Sequence, residues 1–182
     1  MTLKQQLQKI KLFMLDVDGV LTNGGLFIGP NGLELMQFNV TDGAAIVLGQ
    51  KMGFKFALLT SSASPIVAAR AKILKIEDVY QNLIFKIDAY EDLLKKYKLT
   101  DEAICYIGDD LYDIPVLSRA GFSVVPSSAV KDVQKYADYI TKRGGGAGAV
   151  REVIDMVLDA TGKKKELIHK FLTKTLSTTK LP

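Results

Sequence analysis

The sequence is poor in the groups that staple, ligate or anchor a chain. Its 182 residues include one cysteine and one histidine, and no apolar stretch approaches the ~18 residues that a bilayer crossing requires. Cys105 has no second cysteine to pair with, so a disulfide framework is excluded. Its place in the apolar run 103–107 predicts a buried, inert thiol. His169, the only histidine, lies in the basic C-terminal segment outside every motif and is assigned no catalytic role. Clustered arginines with interleaved aromatics are missing, and with them any nucleic-acid motif, so nucleic acid is not an expected partner. The short N-terminal apolar run is interrupted by two aspartates. A cytoplasmic protein without a membrane partner is the expectation.

What is present fits one folded core. Apolar residues at 48% and charged residues at 24% are those of an ordinary globular chain, and the length suits a single domain. The net charge of +4 is uneven, because residues 161–182 carry six lysines and one glutamate, leaving −1 for residues 1–160. Residues 163–182 therefore read as a solvated basic tail and residues 1–162 as the domain.

Short runs rich in Val, Ile, Phe and Leu recur at 12–17, 54–59, 103–107 and 122–125. Helical patterns lie between and after them, at 42–51, 65–74, 88–97, 114–120 and 149–159. This alternation predicts an α/β fold, a doubly wound parallel sheet covered on both faces. One segment breaks it. Two β-like runs around Gly29-Pro30-Asn31-Gly32 predict a β-hairpin flap over about 24–39, placed to stand over the end of the first strand.

In such sheets ligands bind beyond the carboxyl ends of the strands. The first strand runs into Asp16-Val17-Asp18-Gly19, the second into Thr60-Ser61-Ser62, and the run 103–107 into Gly108-Asp109-Asp110 with Asp113 following. Lys86 lies between the second and third sets. Carboxylates converging on one sheet edge repel one another unless a cation neutralises them. Hard oxygen ligands without a nearby histidine or free cysteine favour Mg²⁺. A metal, a carboxylate, a hydroxyl and an ammonium together suit phosphoryl transfer, in which a carboxylate can serve as covalent nucleophile. Each element is weak singly, since an Asp-x-Asp-Gly turn is commonly structural or calcium-binding. Their order and strand placement give the set its force.

DVDGVLT, Thr60, Lys86 and GDDLYD resemble the four motifs of the haloacid dehalogenase-like phosphatases, with a match spanning about residues 11–151. The resemblance implies that Asp16 attacks phosphorus and that Asp18 protonates the leaving group and then activates water. It implies that Thr60 and Lys86 hold the transferring phosphoryl group. It implies, further, that Asp16, Asp109 and the backbone carbonyl of Asp18 ligate Mg²⁺, with Asp110 and Asp113 supporting the metal and its waters. Receiver domains use the same residue types, but in them the acceptor Asp follows the first acidic pair and precedes the Thr and Lys. The order here disfavours that reading.

Neither of the family's cap insertions is present at domain size. FNVTDGAAI, VYQN and GGGAGAVREV look like the capless, tetrameric phosphatases of sugar-acid synthesis. That resemblance implies a small sugar-acid phosphate as substrate and a homotetramer assembled through the flaps. Ser61 and Arg70 are further substrate-binding candidates, Arg70 across a subunit boundary. The second motif departs from the subfamily's Thr-Gly-Arg by reading Thr60-Ser61-Ser62, which leaves the sugar acid open between eight- and nine-carbon compounds. An idle tetramer-forming module and a protein phosphatase are the competing readings. The glycine-rich run 143–151 reads either as an anion cradle at the following helix or as a flexible connector.

Overall fold

The central strand β1 (Leu12–Leu15) shows how the fold is built: all four residues are buried, Phe13 and Leu15 in one apolar cluster, Leu12 and Met14 in the other. Successive side chains of a strand point to opposite faces, so a wholly apolar strand demands cover on both. The structure is a computed structural model describing residues 2–176. A two-stranded hairpin, β2 (Phe27–Ile28) and β3 (Glu34–Leu35), stands apart from the main sheet. That sheet consists of β1, β4 (Lys55–Leu59), β5 (Asp78–Tyr80), β6 (Ile104–Ile107), β7 (Phe122–Val125) and β8 (Tyr139–Ile140). Its order is β5-β4-β1-β6-β7-β8 and every pairing is parallel.

Helices α1 (Leu3–Lys9), α2 (Val40–Lys51), α3 (Pro65–Leu74), α7 (Ala149–Ala160) and α8 (Lys163–Leu172) cover one face. Helices α4 (Lys86–Tyr97), α5 (Ile114–Leu117) and α6 (Lys131–Gln134) cover the other. Phe13 stacks on Phe56 at 5.0 Å between ring centroids and meets Phe54 edge-on at 5.6 Å. Burying such a ring stabilises the fold by about 1.5–3 kcal/mol. The doubly wound sheet is as expected; α1, α6 and β8 are additions that the apolar pattern did not signal.

Two features set the surroundings of the site. The chain winds outward from β1 through β4 to β5 and returns to β6 on the other flank, so the strand order reverses beside β1. Register then levels the strand ends, with Leu15 beside both Leu58 and Ile107. The hairpin projects from the loop after β1, with Phe27 opposite Leu35 and Asn31 and Gly32 at positive φ in its turn. It is the only structure between β1 and α2, and no cap is present among the described residues.

The basic segment expected as a tail is, over Lys163–Leu172, helix α8 docked on the core. Leu167 is buried in the main cluster, and Lys163 Nζ donates to the Met52 carbonyl beside the Phe54 ring. Apolar residues at helical spacing within the lysines make this docking possible. Of the residues assigned to that tail, 177–182 lie outside the described residues.

Candidate active site

Leu15 is the last residue of β1, so the strand stops short of the apolar run at 12–17 and Asp16 and Asp18 lie beyond it. Asp16 precedes a tight turn and Asp18 lies within it. The amides of Val20, Leu21 and Thr22 all donate to the Val17 carbonyl at 2.9–3.3 Å, while Asp16 N–H is held by the Ile107 carbonyl at 2.9 Å. Gly19 follows at φ +82°, and Asp109 Oδ2 lies 1.9 Å from where a Cβ would stand. Only glycine lets the Asp109 carboxylate come against this turn.

The turn rests on the glycine-rich run. The Gly19 carbonyl oxygen is 1.7 Å from the position of a Cβ on Gly145, and Gly146 N–H donates to the Val20 carbonyl at 3.0 Å. These glycines are therefore a packed floor rather than a flexible connector. Nor is the following helix end open to an outside anion. Buried Asp42 of α2 accepts from Gly148 N–H at 3.2 Å and Arg151 N–H at 2.7 Å, so an internal carboxylate fills the α7 N-terminus. Burial pushes the Asp42 carboxyl upward, partly offset by those amides.

A cavity of about 360 Å³ opens at this edge and is lined by Asp16, Asp18, Thr60, Lys86 and Asp109. Ser61, Ser62, Asn23 and Tyr112 complete much of its wall. Thr60 follows β4, with its N–H on the Tyr80 carbonyl at 3.0 Å and its hydroxyl accepting from Ser62 N–H at 3.1 Å. Lys86 is the first residue of α4, yet it is 2% exposed. Its ammonium lies 2.9 Å from Asp16 Oδ2 and 2.6 Å from Asp113 Oδ1.

Asp113 is fully buried and saturated. Oδ1 accepts from Lys86 and from Tyr106 Oη at 2.5 Å; Oδ2 accepts from the amides of Asp109 at 2.8 Å and Asp110 at 3.1 Å. Four donors match the four lone pairs of a carboxylate. Asp110 returns the cap, its side chain accepting from the Asp113 backbone and also from Leu111 N–H at 2.6 Å. The pair expected to support a metal and its waters is thus also a reciprocal cap that shapes the Asp109 loop.

The electrostatics call for a cation. Burial, then the Asp113 carboxylate, pushes Asp16 well above the usual carboxylate range, against the pull of Lys86. Burial and then Asp113 likewise push Asp109 up to about 6. Loss of solvent pulls Lys86 down, but Asp16 and Asp113 outweigh it and hold the ammonium above the ordinary lysine value. Oxygens of Asp16, Asp109 and Asp113 come within 4.8 Å of one another. Three carboxylates against one ammonium leave two negative charges when all are ionised, which a divalent cation balances. An all-oxygen donor set of this kind fits Mg²⁺.

Arg70 is not brought to this cavity in its own chain. It packs on the Phe38 ring at 5.4 Å, donates to the Asn39 carbonyl at 3.5 Å, and leaves its buried Nε without a partner. Conversely, Ser62 was not singled out by sequence reasoning, and its hydroxyl donates to Asp18 Oδ2 at 2.9 Å. The departure of Thr60-Ser61-Ser62 from the subfamily's second motif was the signal that could have pointed to this position.

A doubly wound sheet with two aspartates at a turn after its central strand, a buried lysine and a cluster of carboxylates suited to a cation is the layout of a phosphoryl-transfer hydrolase. The family description haloacid dehalogenase-like hydrolase matches residues 58–154, and the chain belongs to that family. Within it, the chain is 42% identical over 159 residues to 3-deoxy-D-manno-octulosonate 8-phosphate phosphatase KdsC of Escherichia coli (strain K12), covering 87% of this chain and 85% of that one. The Yersinia pestis 3-deoxy-D-manno-octulosonate 8-phosphate phosphatase structure superposes with a TM-score of 0.88 at 38% identity, covering 89% and 88% of the two chains. The Moraxella catarrhalis enzyme, solved in complex with magnesium ion, phosphate ion and a KDO molecule, gives 0.89 at 35% identity and covers 92% and 97%.

Proposed function

We propose that this chain is a magnesium-dependent phosphomonoesterase that hydrolyses 3-deoxy-D-manno-octulosonate 8-phosphate to the free sugar acid and phosphate, in lipopolysaccharide precursor synthesis. The observation that carries the chemistry is the convergence of Asp16, Asp18, Thr60, Lys86 and Asp109 on one cavity from separate chain segments. Identity over most of the chain to phosphatases of that substrate supports its choice.

In the reading we favour, Asp16 attacks phosphorus as the ester P–O bond breaks. The leaving oxygen keeps that bond's electron pair and takes a proton from Asp18. Water then gives a proton to Asp18 as its oxygen bonds phosphorus, and the bond from Asp16 breaks to release phosphate. Lys86 favours the ionised form of Asp16 beforehand. Once Asp16 is esterified and neutral, the ammonium is free to serve the phosphoryl oxygens alongside Thr60. Magnesium, held by Asp16, Asp109 and the Asp18 carbonyl, supplies positive charge at the phosphoryl group when bound.

Ser61 lines the cavity and is proposed to contact the sugar. Arg70 would reach substrate only in a neighbouring subunit. A homotetramer is proposed on the flap, where Leu26, Phe27, Ile28, Leu33 and Leu35 are each more than half exposed on a hairpin too small to bury them. The cytoplasm is the proposed location, in keeping with a single, buried thiol.

Phosphate release from a panel tests the reading, comparing the eight-carbon sugar-acid phosphate, a nine-carbon analogue and a phosphopeptide with Mg²⁺ present. The eight-carbon compound is expected to have the highest kcat/KM. Preference for the nine-carbon compound would move the substrate within the class, and absence of all turnover would leave an idle module.

A further inference from the structure

The Asp18 carboxylate is tethered within the cavity it lines. Ser62 Oγ donates to its Oδ2 at 2.9 Å, joining the loop after β1 to the loop after β4. The tether starts from a fixed frame. Ser62 N–H donates to Thr60 Oγ1 at 3.1 Å, and its carbonyl accepts from Asn82 N–H at 3.1 Å. Thr60 is itself held at both backbone ends, by the Tyr80 carbonyl at 3.0 Å and by Leu83 N–H at 3.2 Å. The Ser62 hydroxyl is therefore presented by the strand ends of β4 and β5.

We propose that Ser62 is a positioning residue of the reaction, holding Asp18 by Oδ2 and so leaving Oδ1 as the oxygen that exchanges protons with the leaving group and with water. This rests on the assignment of Asp18 as acid and base made above. A carboxylate on a turn next to glycine can rotate about its terminal bond, and a bond to one oxygen fixes that rotation. The identity of the tether matters as well. Oδ2 accepts from the hydroxyl whether or not Oδ1 carries the proton, and a neutral hydroxyl, unlike an ammonium or guanidinium, adds no charge that would hold Asp18 ionised. Ser62 thus remains compatible with Asp18 both before and after it gives up its proton. In the first half-reaction the Oδ1–H bond breaks as the leaving oxygen gains that proton; in the second, a water O–H bond breaks and the proton returns to Oδ1.

The consequence is a dependence on the leaving group. A sugar hydroxyl departs poorly without a proton, while p-nitrophenolate leaves as a stable anion and needs little help from Asp18. The test compares kcat/KM, which reports the first irreversible step, on the sugar-acid phosphate and on p-nitrophenyl phosphate. Ser62→Ala is expected to lose roughly 10- to 100-fold on the sugar-acid phosphate and markedly less on the aryl ester. Ser62→Thr, which keeps the hydroxyl, is expected to recover most of the loss. Equal losses on both substrates, or no loss on either, overturn the proposal. Asp18→Asn is measured in parallel: if it is unimpaired on the sugar-acid phosphate, the assignment of Asp18 fails, and if it is severely impaired while Ser62→Ala is not, only the role of Ser62 fails.

Discussion

Lys86 Nζ stands 2.9 Å from Asp16 Oδ2 with only 2% of one side chain and 8% of the other exposed. Neither group is stable alone in that setting, because the partner of a deleted buried charge keeps its full desolvation cost. The same ammonium holds Asp113, so it ties the Asp16 turn to the loop that carries Asp109.

Lys86→Met is accordingly expected to abolish turnover and to cost about 3–5 kcal/mol of stability at neutral pH. The sign with pH follows from Asp16, whose folded pKa already lies above its unfolded value and rises further without Lys86. The folded state then holds protons that the unfolded state has lost, so lowering pH toward about 4 favours folding. The deficit relative to wild type should shrink in that window when urea unfolding is followed across pH. A deficit independent of pH would contradict the pairing.

Asp109 is crowded by carboxylates without being saturated, unlike Asp113. In EDTA, Asp109→Asn should melt no lower than wild type, since it removes one of the repelling charges. It should also lose the rise in Tm that Mg²⁺ gives the wild-type protein. Asp113→Ala should instead melt far lower, because it strands Tyr106 and two amides and removes one of the two carboxylates that hold Lys86. Thermal melts with and without Mg²⁺ distinguish the two; similar profiles would show that the loop and the metal site were wrongly separated.

Asp42→Ala should destabilise the protein by about 2–3 kcal/mol by uncapping α7 and leaving two buried amides unpaired. Asp42→Asn, which keeps one acceptor oxygen, should cost less. Denaturant midpoints check both, and equal effects would deny the carboxylate its capping role.

These contacts mark where the sequence stops being legible. Asp16, Thr60, Lys86 and Asp109 could be brought together on paper because each follows an apolar run or falls between two, and parallel sheets gather such ends at one edge. The flap was legible because Gly29-Pro30-Asn31-Gly32 is local turn chemistry. Asp42 was not, since its partners lie more than a hundred residues away and nothing near it announces them. Gly145 looked like a connector because the backbone it touches, at Gly19, is equally remote. The first strand was read over 12–17 because an apolar run does not reveal that pairing ends at Leu15. Arg70 carried a substrate role across a subunit boundary by resemblance, and its packing on Phe38 within the chain was not legible in advance.

Replacing Phe27 and Leu35, which pair across the flap, by lysine should dissociate the proposed tetramer without unfolding the subunit, because both side chains are exposed in the single chain. Light scattering during gel filtration reads the mass directly. A wild-type monomer at working concentration would remove the flap interface.

The most direct test is to quench the wild-type enzyme in acid during Mg²⁺-dependent turnover of 3-deoxy-D-manno-octulosonate 8-phosphate and to locate covalent phosphate by mass spectrometry. The expected result is a phosphoryl group on Asp16 and none on Asp18, with both label and turnover lost in Asp16→Asn. Sustained turnover by Asp16→Asn, or phosphate bound at another residue, would contradict the account.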